Sequence, residues 1–367
     1  MGKVFLYQKV HDSILNGIRD GDFEEGKKIP DDKELCEQYG VSMITLNKAL
    51  CLLAEEGYVK RIPGNGTFVN KWIKAEKKVA KNEKMIGVVL EHISSPFGLE
   101  MMYQMDLFAM RAGYRMLVRF SYGEREQETK EINFLLSLGV EGLIIMPSHG
   151  KHYNQAILRL CLNGFPVVLV DKKMKGIPVP SVRTDNRAAA ATLVRALAEE
   201  GNRRIAFIST DDQKADSVKE RRNGFIGEIE KLGLEEAGIC AVSSGITREE
   251  YMNHKPSPKV VYEIRKFLEQ NKGEMDAVIV SEYGIVPEVV QAMKLEEIKP
   301  EEEIRIACVD EDYMAPEGTR FMHVKQDEKE IAKKALNILF SQISGNGAEE
   351  DDILIPGIFC RSCSFYS

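Results

Sequence analysis

The sequence predicts an α/β protein in two parts: an N-terminal winged helix-turn-helix and a larger two-lobed domain with parallel sheets. Three observations predict it. Over residues 1–72, apolar residues at helical spacing give way to two short strand-like runs around Pro63-Gly64-Asn65-Gly66. From Met85 onward, consecutive apolar runs alternate with helical segments, the pattern of parallel sheets covered by helices on both faces. About 280 residues of that pattern exceed what one such sheet holds and suit two lobes.

In the first part, Leu6, Val10, Ile14 and Ile18 mark one face of a helix over Val4 to Arg19, and Gly21 and Gly26 bracket the following turn. Asp31 to Tyr39 reads as a second short helix, preceded by Pro30 and ended by Gly40. Ser42 suits the N-cap of a third helix, since its hydroxyl can accept from backbone N–H groups the helix leaves unpaired. That helix buries Leu46, Ala49, Leu50 and Leu53 and stops at Gly57. Strands over Tyr58–Ile62 and Thr67–Asn70 form the wing. Residues 73–84, IKAEKKVAKNEK, carry five Lys and two Glu without an apolar period and read as an exposed linker.

Residues 85–367 form the two-lobed domain. Strands are expected at MIGVVLE, YRMLVRF, GLIIM, PVVLVD, RIAFIS, DAVIV and IRIACVD. Helices are expected over Leu99–Ala112, Arg125–Leu138, Asn154–Asn163 and Asn186–Glu200, with Gly113, Gly139 and Gly201 stopping three of them.

Two family resemblances rest on these residues. LYQKVHDSILNGI followed by KIPDDKELCEQYGVSMITLNKALCLLAEEGYVKRIPGNGTFV resembles the gluconate-repressor (GntR) family across the whole first domain. IGVVLEHISSPF, VEGLIIMPS, FPVVLVDKK, VRTDNRAAA, GNRRIAFIS, ERRNGF, DAVIVSEYG, IRIACVDED and HVKQD resemble, in order, the lactose-repressor and ribose-binding-protein superfamily. A GntR-type head on such a periplasmic-binding-protein-like domain looks like the arabinose-repressor type of transcription regulator. The hinge helix usual in lactose-type repressors has no counterpart here. The resemblance implies a repressor controlled by a sugar or sugar-derived effector. A non-sugar effector, a nucleobase or acidic metabolite, is the alternative within that class.

In a helix-turn-helix the third helix lies in the major groove. Ser42, Met43, Ile44, Thr45, Asn47 and Lys48 are then the candidate DNA contacts, together with Lys33 on the second helix and Asn65 and Gly66 at the wing tip. Asn47 can pair with adenine, Lys48 can reach phosphate, and Thr45 can do either. Met43 or Ile44 can touch a thymine methyl or fold onto the helix surface. Related heads usually carry Arg at the positions of Lys33, Met43 and Asn47, so one positive charge of three is kept. A tip without bulky side chains can approach the backbone or minor groove.

Two-lobed α/β domains bind ligands beyond the C-terminal ends of their strands. Phe97, Ser148, Asp171, Lys172, Ser281, Glu282 and Asp310 fall there, Arg221 lies at the start of a helix after RIAFIS, and Gln326 lies in HVKQD. By resemblance, Asp171, Arg221, Ser281, Asp310 and Gln326 occupy sugar-binding positions. Arg221 can fork onto a carboxylate or two hydroxyls, while Asp171 and Asp310 accept from hydroxyls. The superfamily usually has Asn-Asp where this chain has Ser281-Glu282. Phe97 suits stacking on a sugar face or packing within its lobe.

Composition bounds the remaining possibilities. The net charge is -7, and residues 1–72, with ten Lys/Arg and eleven Asp/Glu, sum to -1, so DNA binding rests on placed contacts and not on a basic field. The seven cysteines lack a framework spacing, and Cys360-x-x-Cys363 lacks further zinc ligands. His149 and His152 form H-x-x-H without a visible third ligand. No metal or cofactor is expected. Nor is a nucleophile–base pair or phosphate loop apparent, which argues against a sugar enzyme. The first residues lack signal-peptide features and no run approaches a membrane span, which argues against an exported solute-binding protein and predicts a cytoplasmic location without membrane contact. The expected partners are a palindromic double-stranded DNA operator, a carbohydrate effector and a second copy of the chain, as a homodimer.

Overall fold

The computed structural model describes residues 6–70, 83–94, 96–148, 154–211, 215–243, 256–311, 321–346 and 352–361. The chain divides into two compact units, Met1–Lys81 and Asn82–Ser367. The stretch read as a linker, the hinge-helix position, His149, His152 and Cys363 lie wholly or mostly outside the described residues.

The first unit contains α1 (Leu6–Asp20), α2 (Asp32–Tyr39), α3 (Met43–Glu55), β1 (Val59–Ile62) and β2 (Gly66–Val69). Val10, Ile14, Leu35, Leu46, Leu50, Leu53, Val59 and Val69 close one core. Asp31 lies outside the helix that was expected to include it. Its carboxylate accepts the N–H groups of Lys33 and Glu34 at 3.0 Å, and the Glu34 carboxylate accepts the Asp31 N–H in return, a complete capping box. Gly40 ends α2 in the left-handed region and turns the chain toward Ser42, which caps α3. In the antiparallel wing, Val59 lies opposite Val69 and Ile62 opposite Gly66. The stretch before α2 is more than a turn. Gly26 and Ile29 donate to the carbonyls of Val69 and Thr67, and Val69 donates to that of Lys27, each at 3.0 Å.

The second unit holds two six-stranded sheets. Lobe 1 takes β3 (Lys84–Leu90), α4 (Leu99–Arg111), β4 (Tyr114–Phe120), α5 (Arg125–Ser137), β5 (Gly142–Ile145), α6 (Gln155–Leu162), β6 (Val167–Val170) and β7 (Ser181–Thr184). Lobe 2 takes α7 (Asn186–Glu199), β8 (Arg204–Thr210), α8 (Asp216–Leu232), β9 (Glu235–Val242), α9 (Pro258–Gln270), β10 (Ala277–Val280), α10 (Val286–Leu295), β11 (Arg305–Val309) and β12 (Met322–Lys325). The chain then returns to lobe 1 through α11 (Glu328–Ile343) and β13 (Asp352–Ile355), and ends in lobe 2 with β14 (Ile358–Cys360). The sheet orders are β13-β7-β6-β5-β3-β4 and β14-β12-β11-β10-β8-β9, parallel throughout except β12 with β14. Strands such as GLII and AVIV are buried on both faces, which is why they read as unbroken apolar runs. Arg221 sits in the second turn of α8, not at its start, and is buried.

The chain changes lobe three times: from β7 to α7, from β12 to α11, and from β13 to β14. Ion pairs join the lobes beside these crossings. Arg183 of β7 donates from Nη1 to both Glu220 oxygens of α8 at 2.7 and 2.9 Å while its Nε and Nη2 fork onto Asp352 of β13 at 3.0 Å, and Lys325 of β12 meets Glu100 of α4 at 2.7 Å. Burial works against the Asp352 carboxylate, but hydrogen bonds from Arg183, Lys173 and Ser181 overcome it and hold its pKa at about 2. A carboxyl depressed in this way stabilises the fold above the ordinary carboxylate range, and the contribution is lost as pH falls toward about 2. Arg183→Met should therefore raise the pH at which the protein unfolds during acid titration, followed by circular dichroism. An unmoved acid midpoint would show that the Arg183–Asp352 pair does not contribute.

Candidate functional site

In the first unit, α3 carries most of the residues expected to contact DNA. Met43 is 41% exposed and Ile44 83%, so neither folds onto the core. Lys48 is exposed, and Thr45 and Asn47 are half-buried. The Thr45 hydroxyl lies 3.0 Å from that of Ser42, tying both to the helix cap. The Lys48 ammonium stands 4.1 Å from the centroid of the Tyr7 ring, a cation–π contact that a phosphate would have to displace or share. Lys33 is exposed in the first turn of α2. Asn65 is exposed at the wing tip, and Gly66 has φ +107°, a conformation that favours glycine.

In the second unit, four of the expected residues form or adjoin one buried network. The Thr184 hydroxyl donates to Gln326 Oε1 at 2.6 Å, and Gln326 Nε2 donates to both Asp310 oxygens at 3.1 and 3.0 Å. Arg221, 5% exposed, donates from Nε to Asn186 Oδ1 and from Nη1 to the Ser281 carbonyl, both at 2.7 Å. Among the described residues, the Ser281 hydroxyl is buried without a hydrogen-bond partner. Burial pushes the Asp310 pKa up to about 6, against the pull of Arg221 and Gln326, and Glu282 adds to the rise. Asp310 and Asp171 directly follow β11 and β6 with φ of +71° and +65°, a turn that few side chains tolerate.

The lobe 1 residues form separate groups. Lys172 is ion-paired with Glu91, the residue just after β3. The Ser148 N–H donates to Glu128 at 2.7 Å and its hydroxyl to that of Ser121 at 3.2 Å. Phe97 packs against the apolar core of lobe 1 and its carbonyl accepts from Ser94. Glu328, the first residue of α11, accepts the N–H groups of Gly98 and Met101 at 2.8 Å, and burial raises its pKa to about 7. Among the described residues, no group of three or more His, Cys, Asp or Glu side chains is placed to hold a metal ion, and no helix is long and apolar enough to cross a membrane.

Residues 6–69 match the bacterial regulatory proteins of the gntR family. Residues 83–262 match the periplasmic binding proteins and sugar binding domain of the LacI family, and residues 194–363 match a periplasmic binding protein-like domain. The chain is a transcriptional repressor of the GntR/LacI type. Among its relatives, the arabinose metabolism transcriptional repressor of Geobacillus stearothermophilus is 24% identical, over 97% of this chain and 96% of its own. That of Halalkalibacterium halodurans is 22% identical, over 85% and 80%. The crystal structure of a putative ribose operon repressor from Burkholderia thailandensis superposes with a TM-score of 0.62 at 20% identity, over 76% of this chain and 99% of that one. This last likeness establishes the fold.

In this GntR/LacI-type repressor, sequence reasoning missed Glu91, Thr184, Asn186 and Glu328. Glu91 directly follows a strand as Asp171 and Asp310 do, and the same rule would have found it. Thr184 and Asn186 flank a lobe crossing, which no local pattern reveals. For Asp310, a folded-state pKa raised to about 6 means that stability falls as pH rises from the ordinary carboxylate range through about 6, because the native state must then carry a buried charge. Asp310→Asn removes that cost while keeping an acceptor for Gln326. Its melting temperature should exceed the unaltered protein's above pH 6, by the equivalent of roughly 1–3 kcal/mol, and the gap should close in acid. A gap independent of pH would refute the assignment.

Proposed function

We propose that the protein is a cytoplasmic homodimer whose two heads read a palindromic operator and whose lobe 1–lobe 2 cleft binds an uncharged sugar that controls DNA binding. The buried Arg221–Asp310–Gln326 constellation carries the reading. It offers donors and acceptors beyond the ends of β8, β11 and β12, as polyhydroxyl recognition requires. The unpartnered Ser281 hydroxyl adds another group that a ligand can satisfy.

The charge balance favours a neutral effector. Among the described candidate residues, Lys172 is paired with Glu91 and Arg221 faces the charge of Asp310, leaving the acids Asp171 and Glu282 in excess. A phosphate or carboxylate would meet net negative charge there. A nucleobase would need an aromatic platform, whereas Phe97 packs within lobe 1. The relatives' names point to arabinose metabolism.

Titration calorimetry of the full chain with L-arabinose, other aldopentoses, sugar phosphates, sugar acids and nucleobases tests this reading. Neutral pentoses should bind and the anions should not; tight binding of an anion alone would overturn it. Arg221→Ala should abolish the response, since one hydrogen bond to a charged group is worth roughly 1.5–3 kcal/mol, tenfold to a hundredfold in affinity. The effector must change DNA affinity by the same factor by which DNA changes effector affinity. Binding-site selection should return an inverted repeat, and Asn47→Ala should alter the selected sequence while Lys48→Ala weakens all sequences alike. A non-repeated motif would refute the paired-head arrangement.

A further inference from the structure

We infer that Lys28 is the wing's phosphate contact, carried to the hairpin tip by a seat that only a glycine at position 66 leaves open. Lys28 lies outside the hairpin in sequence, in the stretch before α2. The bonds of Gly26, Lys27 and Ile29 with β2 lay that stretch alongside the wing, with Lys28 opposite Phe68 in an isolated antiparallel bridge.

The geometry at Gly66 identifies the seat. A Cβ on Gly66 would stand 2.3 Å from Lys28 Cε, 3.1 Å from Nζ and 3.4 Å from Cδ. The end of the lysine side chain therefore rests on the bare Cα of Gly66, in space that any other residue would fill. Several other left-handed glycines of this unit, among them Gly21, Gly40, Gly57 and Gly64, have nothing within 4 Å of such a Cβ. Gly66 thus does two things: it adopts φ +107°, and it leaves room for a side chain from elsewhere.

The consequence is electrostatic. The tip residues Pro63, Gly64, Asn65 and Gly66 carry no charge, and Arg61 on β1 is paired with Asp32 at 2.9 Å. Lys28 is exposed, and its ammonium reaches the uncharged tip. Asp31, which feels the charge of Lys28, already accepts the amides of Lys33 and Glu34. A wing laid along a groove has phosphates on either side, and a compact ammonium on a flexible stem is suited to one of them. The contact partly replaces the positive charge that Met43 and Asn47 do not supply on α3.

The inference rests on DNA binding by the head. Its probe is a duplex recovered by the unaltered full-length chain from a randomised pool, with affinity measured across a salt series. Lys28→Met keeps the stem on Gly66 and removes the charge. It should leave the melting temperature unchanged, lower the slope of log affinity against log salt by about 0.9, and weaken binding roughly five- to tenfold at about 0.1 M salt. Lys28→Arg should restore the slope, and Lys27→Met should leave it as it was. Gly66→Ala combined with Lys28→Met should lower the slope no further than Lys28→Met alone. An unchanged slope in Lys28→Met, or an equal drop in Lys27→Met, would overturn the inference. Recovery of no duplex by the unaltered chain would overturn the DNA-reading role as well, an outcome distinct from a slope that Lys28→Met fails to move.

Discussion

The second unit depends on a hydrogen-bond relay placed where the chain changes lobe. Thr184 ends the last strand of lobe 1 before the first crossing, Gln326 follows the last central strand of lobe 2 before the second, and Asp310 directly follows β11 between them. One amide side chain, Gln326, satisfies both: its oxygen accepts from Thr184 and its nitrogen donates to Asp310. All three are buried, so each unmade bond would cost a desolvated polar group. The relay therefore fixes the crossings and the buried Asp310 carboxyl together. Anything that alters the hydrogen bonding of Asp310 is felt by Gln326, and through it by the strand end of the other lobe.

Charge is handled differently in the two units. In the second, cations and carboxylates are matched in fixed pairs: Lys172 with Glu91, Arg183 with Asp352 and Glu220, Lys325 with Glu100. These pairs are partly desolvated and one, Arg183 on Asp352, is forked, which makes it a geometric constraint as well as an attraction. In the first, whose Lys/Arg and Asp/Glu nearly cancel, two cations rest on uncharged surfaces: among the described residues, Lys48 lies over the Tyr7 ring and Lys28 on the surface of Gly66. A nearly neutral head can thus present positive charge at chosen points although its sum does not advertise it.

The fold was legible wherever a segment declared itself locally. All seven expected strands of the second unit form; central ones such as GLII and AVIV are buried on both faces and so are apolar without interruption, while the edge strand β4 keeps enough apolar residues to be read despite Arg115 and Arg119. The capping residue Ser42 was readable because a cap acts over three residues, whereas Asn154, read as the first residue of its helix, is the cap before it. The elements that escaped are short or lie at edges. β7 is Ser-Val-Arg-Thr, β13 and β14 are brief outer strands, and β9 opens on two glutamates. Their pairing is decided by what lies beside them and not by their own composition.

The candidate site shows the same division more sharply at the start of α4. Gly98 is the N-cap of that helix and has no side chain to offer. The missing acceptor comes from Glu328, 230 residues further along, whose carboxylate takes the Gly98 and Met101 amides at 2.8 Å. Read locally, Glu328 is only an acid in the first turn of its own helix, favoured there by the dipole. Folded, it lies between two helix N-termini at once, caps one from the other, and remains buried enough for its pKa to rise to about 7. Two partial positive ends thus share one carboxylate, which joins the return crossing to the helix after the first strand. No periodicity in either segment encodes that joint, because the two halves of the interaction are complete only when the chain has crossed between lobes and come back.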